Sequence, residues 1–159
     1  MKKPELLAPA GSFEKAKVAF MYGADAVYCG TASLSLRSRA EVDDNDLEKT
    51  IKYAHGIGKK VYAALNIYAW DTNYEEIEKQ VKMLDEVHVD AIIASDGGVI
   101  QKIREIAPNI EIHVSTQANV VSYHAAKFWY DNGAKRVILG RETSKDQIQE
   151  IMKNKPEDL

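Results

Sequence analysis

Cysteine is almost missing from this sequence: Cys29 is the only one in 159 residues. A lone thiol excludes an intrachain disulfide and any cluster bound by paired cysteines of this chain, and it fits a reducing, cytoplasmic setting. Long apolar runs are missing too. No stretch reaches 18 consecutive apolar residues, and the run before Pro9 is only Leu6-Leu7-Ala8, so neither a membrane span nor a signal-peptide core is expected. No basic block stands out, because 21 Lys and Arg are set against 24 Asp and Glu for a net charge of −3, which leaves no tail that advertises nucleic acid. Histidines 55, 88, 113 and 124 form neither HExxH nor a pair four apart, and no serine sits in GxSxG. Zinc-peptidase and nucleophile-elbow motifs are thereby excluded.

What is present is a repeated plan. GADAVYCG at 23–30, HVDAIIAS at 88–95 and GAKRVILG at 133–140 each pass from a small or polar entry through an apolar run to a small residue. Such segments read as short strands buried on both faces. PELLAPAG, KKVYAALN at 59–66 and IEIHVSTQ at 110–117 complete a set of six. Helical spacing lies between them: Ile77, Val81 and Leu84 share one face, as do Ile148, Ile151 and Met152. Ser144 with Gln147, Asn45 with Glu48 and Asn73 with Glu76 have the spacing of helix entries, and Gly23, Gly56, Gly58 and Gly133 fall where helices should stop.

Six β-then-α units in one domain, 1–159, imply a parallel α/β sheet with right-handed crossovers. The only GxG, in HGIGKK, lies on a helix-to-strand turn, whereas a dinucleotide fingerprint lies between strand and helix. The predicted class is therefore a partial TIM-like (β/α) barrel, with about six of the eight units. Its open sheet edges are expected to recruit a second copy.

In a barrel the carboxyl ends of the strands line one mouth, whatever their separation in sequence. Asp96, Glu142 and Arg141 are the candidate catalytic residues there. The two carboxylates are the pair able to act as a dyad, and the guanidinium is a planar fork for a carboxylate or phosphate. Ser12, Arg37, Asn66, Ser115, Gln117 and Asn119 are the candidate substrate-binding residues. Each has a structural alternative: Asp96 as a helix cap, Arg141 and Glu142 as a solvated pair, Ser115 and Gln117 as loop ties. Cys29 reads as a small buried residue and His113 as a structural histidine. No metal ligand is expected, and the residues by themselves give a site without a reaction.

The segments ELLAPAGSFEKAKVAFMYGADAVYCG, LSLRSRA, VYAALNI, VDAIIASDGGV, EIHVSTQAN and GAKRVILGRETSKDQI together resemble the N-terminal part of the peptidase U32, or collagenase-like protease, family. The resemblance covers nearly the whole chain and implies a TIM-like barrel. Family members continue past the Arg-Glu loop into a cysteine-containing region, which this chain does not include. An iron-sulfur cluster is therefore expected only in a longer member, and no cofactor in this chain. The family name implies hydrolysis of peptides, which makes a hydrolase the first expectation. The alternatives are hydroxylation of tRNA or rRNA bases by the full-length protein, and a non-catalytic, self-associating barrel fragment. Peptide or RNA is thus the implied substrate.

Overall fold

The apolar runs pair into one sheet of parallel strands in a computed structural model that describes residues 3–31, 34–35 and 41–159. Strands β1 (Leu7–Pro9), β2 (Ala26–Thr31), β4 (Lys60–Ala64), β5 (Ala91–Ala94), β6 (Glu111–Val114) and β7 (Ala134–Val137) lie side by side in that order. A seventh, β3 (Glu41–Val42), pairs with Gly30 and Thr31. Gly30 also pairs with Ala64, so β3 lies on the β1 side of β2 and extends that edge beyond Pro9. Two residues are too few to show a period in sequence, which is why β3 escapes the pattern of six.

Helices α1 (Phe13–Met21), α2 (Asp44–Gly56), α3 (Tyr74–Glu86), α4 (Gly97–Ile106) and α5 (Tyr123–Asp131) lie in the crossovers between successive strands of this order, and α6 (Lys145–Asn154) follows β7. Alternation along the strands splits the apolar residues into two sets. Val27, Cys29, Val61, Ala63, Ile92 and Val114 face the helices and pack with Ile51, Ile77, Leu84 and Ile103. Ala26, Tyr62, Ala64, Ala91 and Ile93 face the concave side with Leu7, Tyr28 and Ile138. Alanines on the concave face let the sheet curl tightly, giving the partial TIM-like barrel.

Helix starts follow the side-chain chemistry, with two departures from expectation. Ser144 and Gln147 form the full reciprocal cap of α6. The cap of α2 is Asp43, which accepts from the amide of Asp46, and not Asn45, because the helix begins two residues earlier than expected. Asn73 makes no side-chain cap; it accepts from the amide of Trp70 and closes a short 3-10 turn, Asp71–Asn73, ahead of α3. Gly23, Gly58 and Gly133 take positive φ at helix exits, and His88 takes φ 59° at the exit of α3.

β7 also departs from the expected strand buried on both faces, since Val137, Ile138 and Leu139 are only half-buried. The reason is its position at the sheet edge. A bulge between β6 and β7 pairs Ile112 with Ala134 but His113 with Arg136, skipping Lys135. The extra residue turns Arg136 toward the concave face. There its guanidinium donates to Glu5 Oε1 at 2.6 Å, so the sheet curls until its two edges are bridged by an ion pair.

Candidate functional site

At the carboxyl ends of the strands the concave face opens into a cavity of about 380 Å³. Leu7, Tyr28, Ala64, Ile93 and Ile138 give it an apolar floor, and Asn66, Ser115, Thr116, Gln117 and Arg141 give it a polar rim. The rim is organised by the loop after β6. Ser115 caps the short 3-10 turn Thr116–Ala118, which Asn119 ends in a left-handed conformation at φ 54°. This turn presents Gln117 to the loop after β4. Asn66 Nδ2 donates to Gln117 Oε1 at 2.6 Å, and Ser115 Oγ donates to the same oxygen at 2.9 Å. Asn66 and Ser115 are buried while Gln117 and Arg141 are exposed, so two fixed side chains orient a third at the opening.

Of the residues expected at the mouth, Asn66, Ser115, Gln117 and Arg141 line this cavity, and Asp96, Glu142, Ser12 and Asn119 do not. Asp96 is the N-cap of α4: its Oδ1 accepts from the amide of Val99 at 3.0 Å and from the Tyr74 hydroxyl at 3.4 Å. Partial burial and the neighbouring Asp96 both push the Tyr74 hydroxyl upward. Glu142 is exposed and turned back toward Gly140, where an added Cβ would meet its Oε2. The carboxylates of Asp96 and Glu142 therefore do not meet across the cavity as a dyad. Ser12 caps α1 by accepting from the amide of Lys15. Asn119 serves the backbone turn, and Arg37 lies outside the described residues. Position after a strand was the wrong filter for Ser12 and Asp96, because the first residue of each following helix needs a cap as well.

Sequence reasoning missed Tyr28 and a charged group deeper in the concave face. The Tyr62 hydroxyl donates to Glu5 Oε2 at 2.9 Å, and the Arg136 guanidinium lies 5.4 Å from the Tyr62 ring centre. His113 stands edge-on to Tyr62 with ring centres 4.7 Å apart, and its Nε2 is 3.3 Å from Glu111. Burial, with Arg136 adding to it, pushes the His113 imidazole down to about 4. Burial alone would raise Glu5, but the hydrogen bonds from Arg136 and Tyr62 outweigh it and hold its carboxyl below the usual range. Alternation in KKVYAALN already puts Tyr62 opposite in facing to Val61; that signal was available. The bulge that recruits Arg136 was not.

A larger groove, about 690 Å³, lies where the sheet's edges face each other beside α6. Its charges are already engaged: Arg136 with Glu5, Lys135 with Asp158, and Lys155 with the carbonyls of Pro156 and Leu159. The smaller cavity is the one with convergent polar groups that are open to a ligand.

Residues 11–159 match the profile of Peptidase family U32. The chain belongs to this family. Among its relatives, tRNA hydroxylation protein P1 of Bacillus subtilis (strain 168) is 43% identical over 151 residues, covering 94% of this chain and 36% of that protein. The 23S rRNA 5-hydroxycytidine C2501 synthase of Escherichia coli (strain K12) is 35% identical over 147 residues, covering 92% of this chain and 22% of that protein. The chain thus spans about a third of the length of the first of these and less of the second. Among solved structures, the U32 peptidase Mk0906 superposes with a TM-score of 0.78 at 13% identity, covering 95% of this chain and 65% of that one. At that identity the likeness speaks for the fold.

The residues of this U32 chain do not fit an iron-sulfur cluster. Its single cysteine, Cys29, is 1% exposed in the layer between sheet and helices, and burial pushes its thiol up to about 12. A thiolate ligand does not form in such a place. Among the described residues no group of three or more His, Cys, Asp or Glu is arranged to hold a metal ion, and no helix is long and apolar enough to cross a membrane.

Proposed function

We propose that this chain is the barrel part of an RNA-hydroxylating protein acting in the cytoplasm, and that the cavity at its strand ends receives the pyrimidine to be modified. The observation that carries the reading is the Asn66–Gln117–Ser115 set above an apolar floor, with Arg141 at the opening. The names of the relatives supply the substrate class, one of them specifying 5-hydroxycytidine.

A base inside a duplex is out of reach, so an enzyme of this kind needs a pocket for an unstacked nucleotide. Here the floor meets the base with Tyr28 and aliphatic side chains. The Gln117 oxygen is held by two donors, so its NH2 group is the one turned to a ligand, suited to a pyrimidine carbonyl. Arg141 is suited to the adjoining phosphate, as a planar donor fork. The part proposed for this chain is binding and orientation of the base. Hydrolysis of peptides has less support, since Asp96 is engaged as the cap of α4 and Glu142 is exposed outside the cavity lining. The backbone edges of β1 and β7, which do not pair with each other, are proposed to recruit further strands from a second copy, which light scattering at micromolar concentration checks.

The test is made in cells carrying the gene with Gln117→Ala or Arg141→Ala. Nucleoside mass spectrometry of their RNA should show the 5-hydroxypyrimidine lost while the protein stays folded, with stability changed by no more than about 0.5 kcal/mol for exposed Arg141. Unchanged modification in both variants refutes the assignment of the cavity.

A further inference from the structure

Tyr68 and Trp70 are 76% and 73% exposed, although both are large and apolar. They stand on the loop after β4, and the residues alternating with them, Ile67 and Ala69, pack against the main core. The loop is pinned at its far end as well: the Trp70 amide donates to Asn73 Oδ1 at 2.9 Å, and the Asn73 amide donates to the Trp70 carbonyl at 2.8 Å. Both rings are therefore held out in water by a segment whose neighbours are anchored. The loop begins at Asn66, which lines the cavity, so the aromatic pair adjoins the mouth. A second strongly exposed apolar pair among the described residues, Met21 and Tyr22, ends α1 and so lies by topology at the opposite end of the barrel.

We propose that Tyr68 and Trp70 form a stacking platform for unpaired bases of the RNA strand flanking the nucleotide that enters the cavity. The proposal rests on the RNA reading given above. Aromatic rings take bases of any identity by their flat faces, and anchored rings lose little freedom when they do so. Asp71 follows Trp70 directly and no Lys or Arg lies between Asn66 and Glu78, so the loop offers phosphates no cation and the rings, not charges, must supply the attraction. The adjoining rim, with its amides and guanidinium, matches a nucleotide better than an apolar peptide. With a net charge of −3, binding through this surface should depend on salt less steeply than binding through a basic track.

The test follows the anisotropy of a fluorescein-labelled single-stranded oligouridylate titrated with the 159-residue chain. Tyr68→Ala and Trp70→Ala should each weaken binding by about tenfold, with circular dichroism unchanged, and Trp70→Phe should recover most of the loss. Duplex RNA of the same length should compete poorly. Alanine variants that bind within twofold of wild type, alongside an Arg141→Ala variant that is weakened, would overturn the platform and leave the RNA reading standing. A wild-type chain that binds no RNA would overturn both. An apolar peptide that binds Trp70 and is not displaced by the oligonucleotide would assign the surface to a protein partner and overturn the platform.

Discussion

Arg136 donates to Glu5 across 131 residues of sequence, at 2.6 Å, and that pair joins the first and last edges of the sheet. Its partners are spread over the barrel: Tyr62 on β4 shares the Glu5 carboxylate, and His113 on β6 packs against Tyr62. The concave face is thus tied at depth by charge and near the mouth by the Asn66–Gln117 bond.

Replacing Arg136 by Met removes the bridge while keeping most of the side-chain volume. The guanidinium keeps more than a third of its side chain in water, so the loss is expected to be about 1 kcal/mol, below that of a fully buried pair. Because the folded Glu5 carboxyl lies below its ordinary 4.5, its contribution is present above that value and disappears as the pH falls through the folded one. Urea unfolding of both proteins at pH 7 and pH 3 checks this: the gap between them should shrink at pH 3.

His113 should make the protein sensitive to mild acid. Its folded value of about 4 lies below the ordinary 6.5, so between these two values the unfolded chain binds the extra proton and stability rises with pH. Lowering the pH from 7 to 4.5 is expected to cost on the order of 2 kcal/mol through this group. The ring packs against Tyr62; burial and Arg136 oppose its proton, and Glu111 and Glu5, which favour it, do not outweigh them. A His113→Phe variant should flatten the stability profile over that interval; an unchanged slope would show that another group is responsible.

Cys29 is expected to resist alkylation. With the thiol pushed up to about 12 and buried between sheet and helices, iodoacetamide at pH 8 should react at a rate set by opening of the structure. Adding urea below the unfolding midpoint should therefore accelerate labelling steeply. Labelling in native buffer at the rate of a free thiol would contradict the packing of β2.

His88 takes a positive φ, as Gly23, Gly58 and Gly133 do at the exits of α1, α2 and α5. A side chain at φ 59° is strained, so His88→Gly is expected to raise stability by about 0.5–1 kcal/mol despite the added freedom of glycine when unfolded. Thermal unfolding of the pair checks this, a lower midpoint for the glycine variant being the contrary result.

At the start of α4 two adjacent glycines should respond differently. A Cβ on Gly97 meets open space, whereas one on Gly98 collides with the Tyr74 hydroxyl that donates to Asp96. Gly97→Ala is expected to gain about 0.5 kcal/mol from helix propensity. Gly98→Ala should lose that gain by displacing Tyr74, and a tyrosine fluorescence change should accompany it.

The period of the apolar residues determined the fold class and the places of the six main strands, because burial on two faces or on one helix stripe leaves a mark at fixed spacing. GADAVYCG, HVDAIIAS and Ile77-Val81-Leu84 carry that mark without help from the rest of the chain. The capping pair Ser144 and Gln147 was equally legible, since both partners lie within one turn. Residue type and position after a strand also pointed to Asn66, Ser115, Gln117 and Arg141 as mouth residues, but could not separate them from Ser12 and Asp96, whose oxygens are consumed by helix amides. Only the tertiary structure decided that Asn66 meets Gln117, 51 residues away, and that the chain brings Glu5 to Arg136. The first depends on how far the sheet curls. The second depends on a single extra residue, Lys135, whose bulge reverses the facing of everything beyond it, and local periodicity records no such shift.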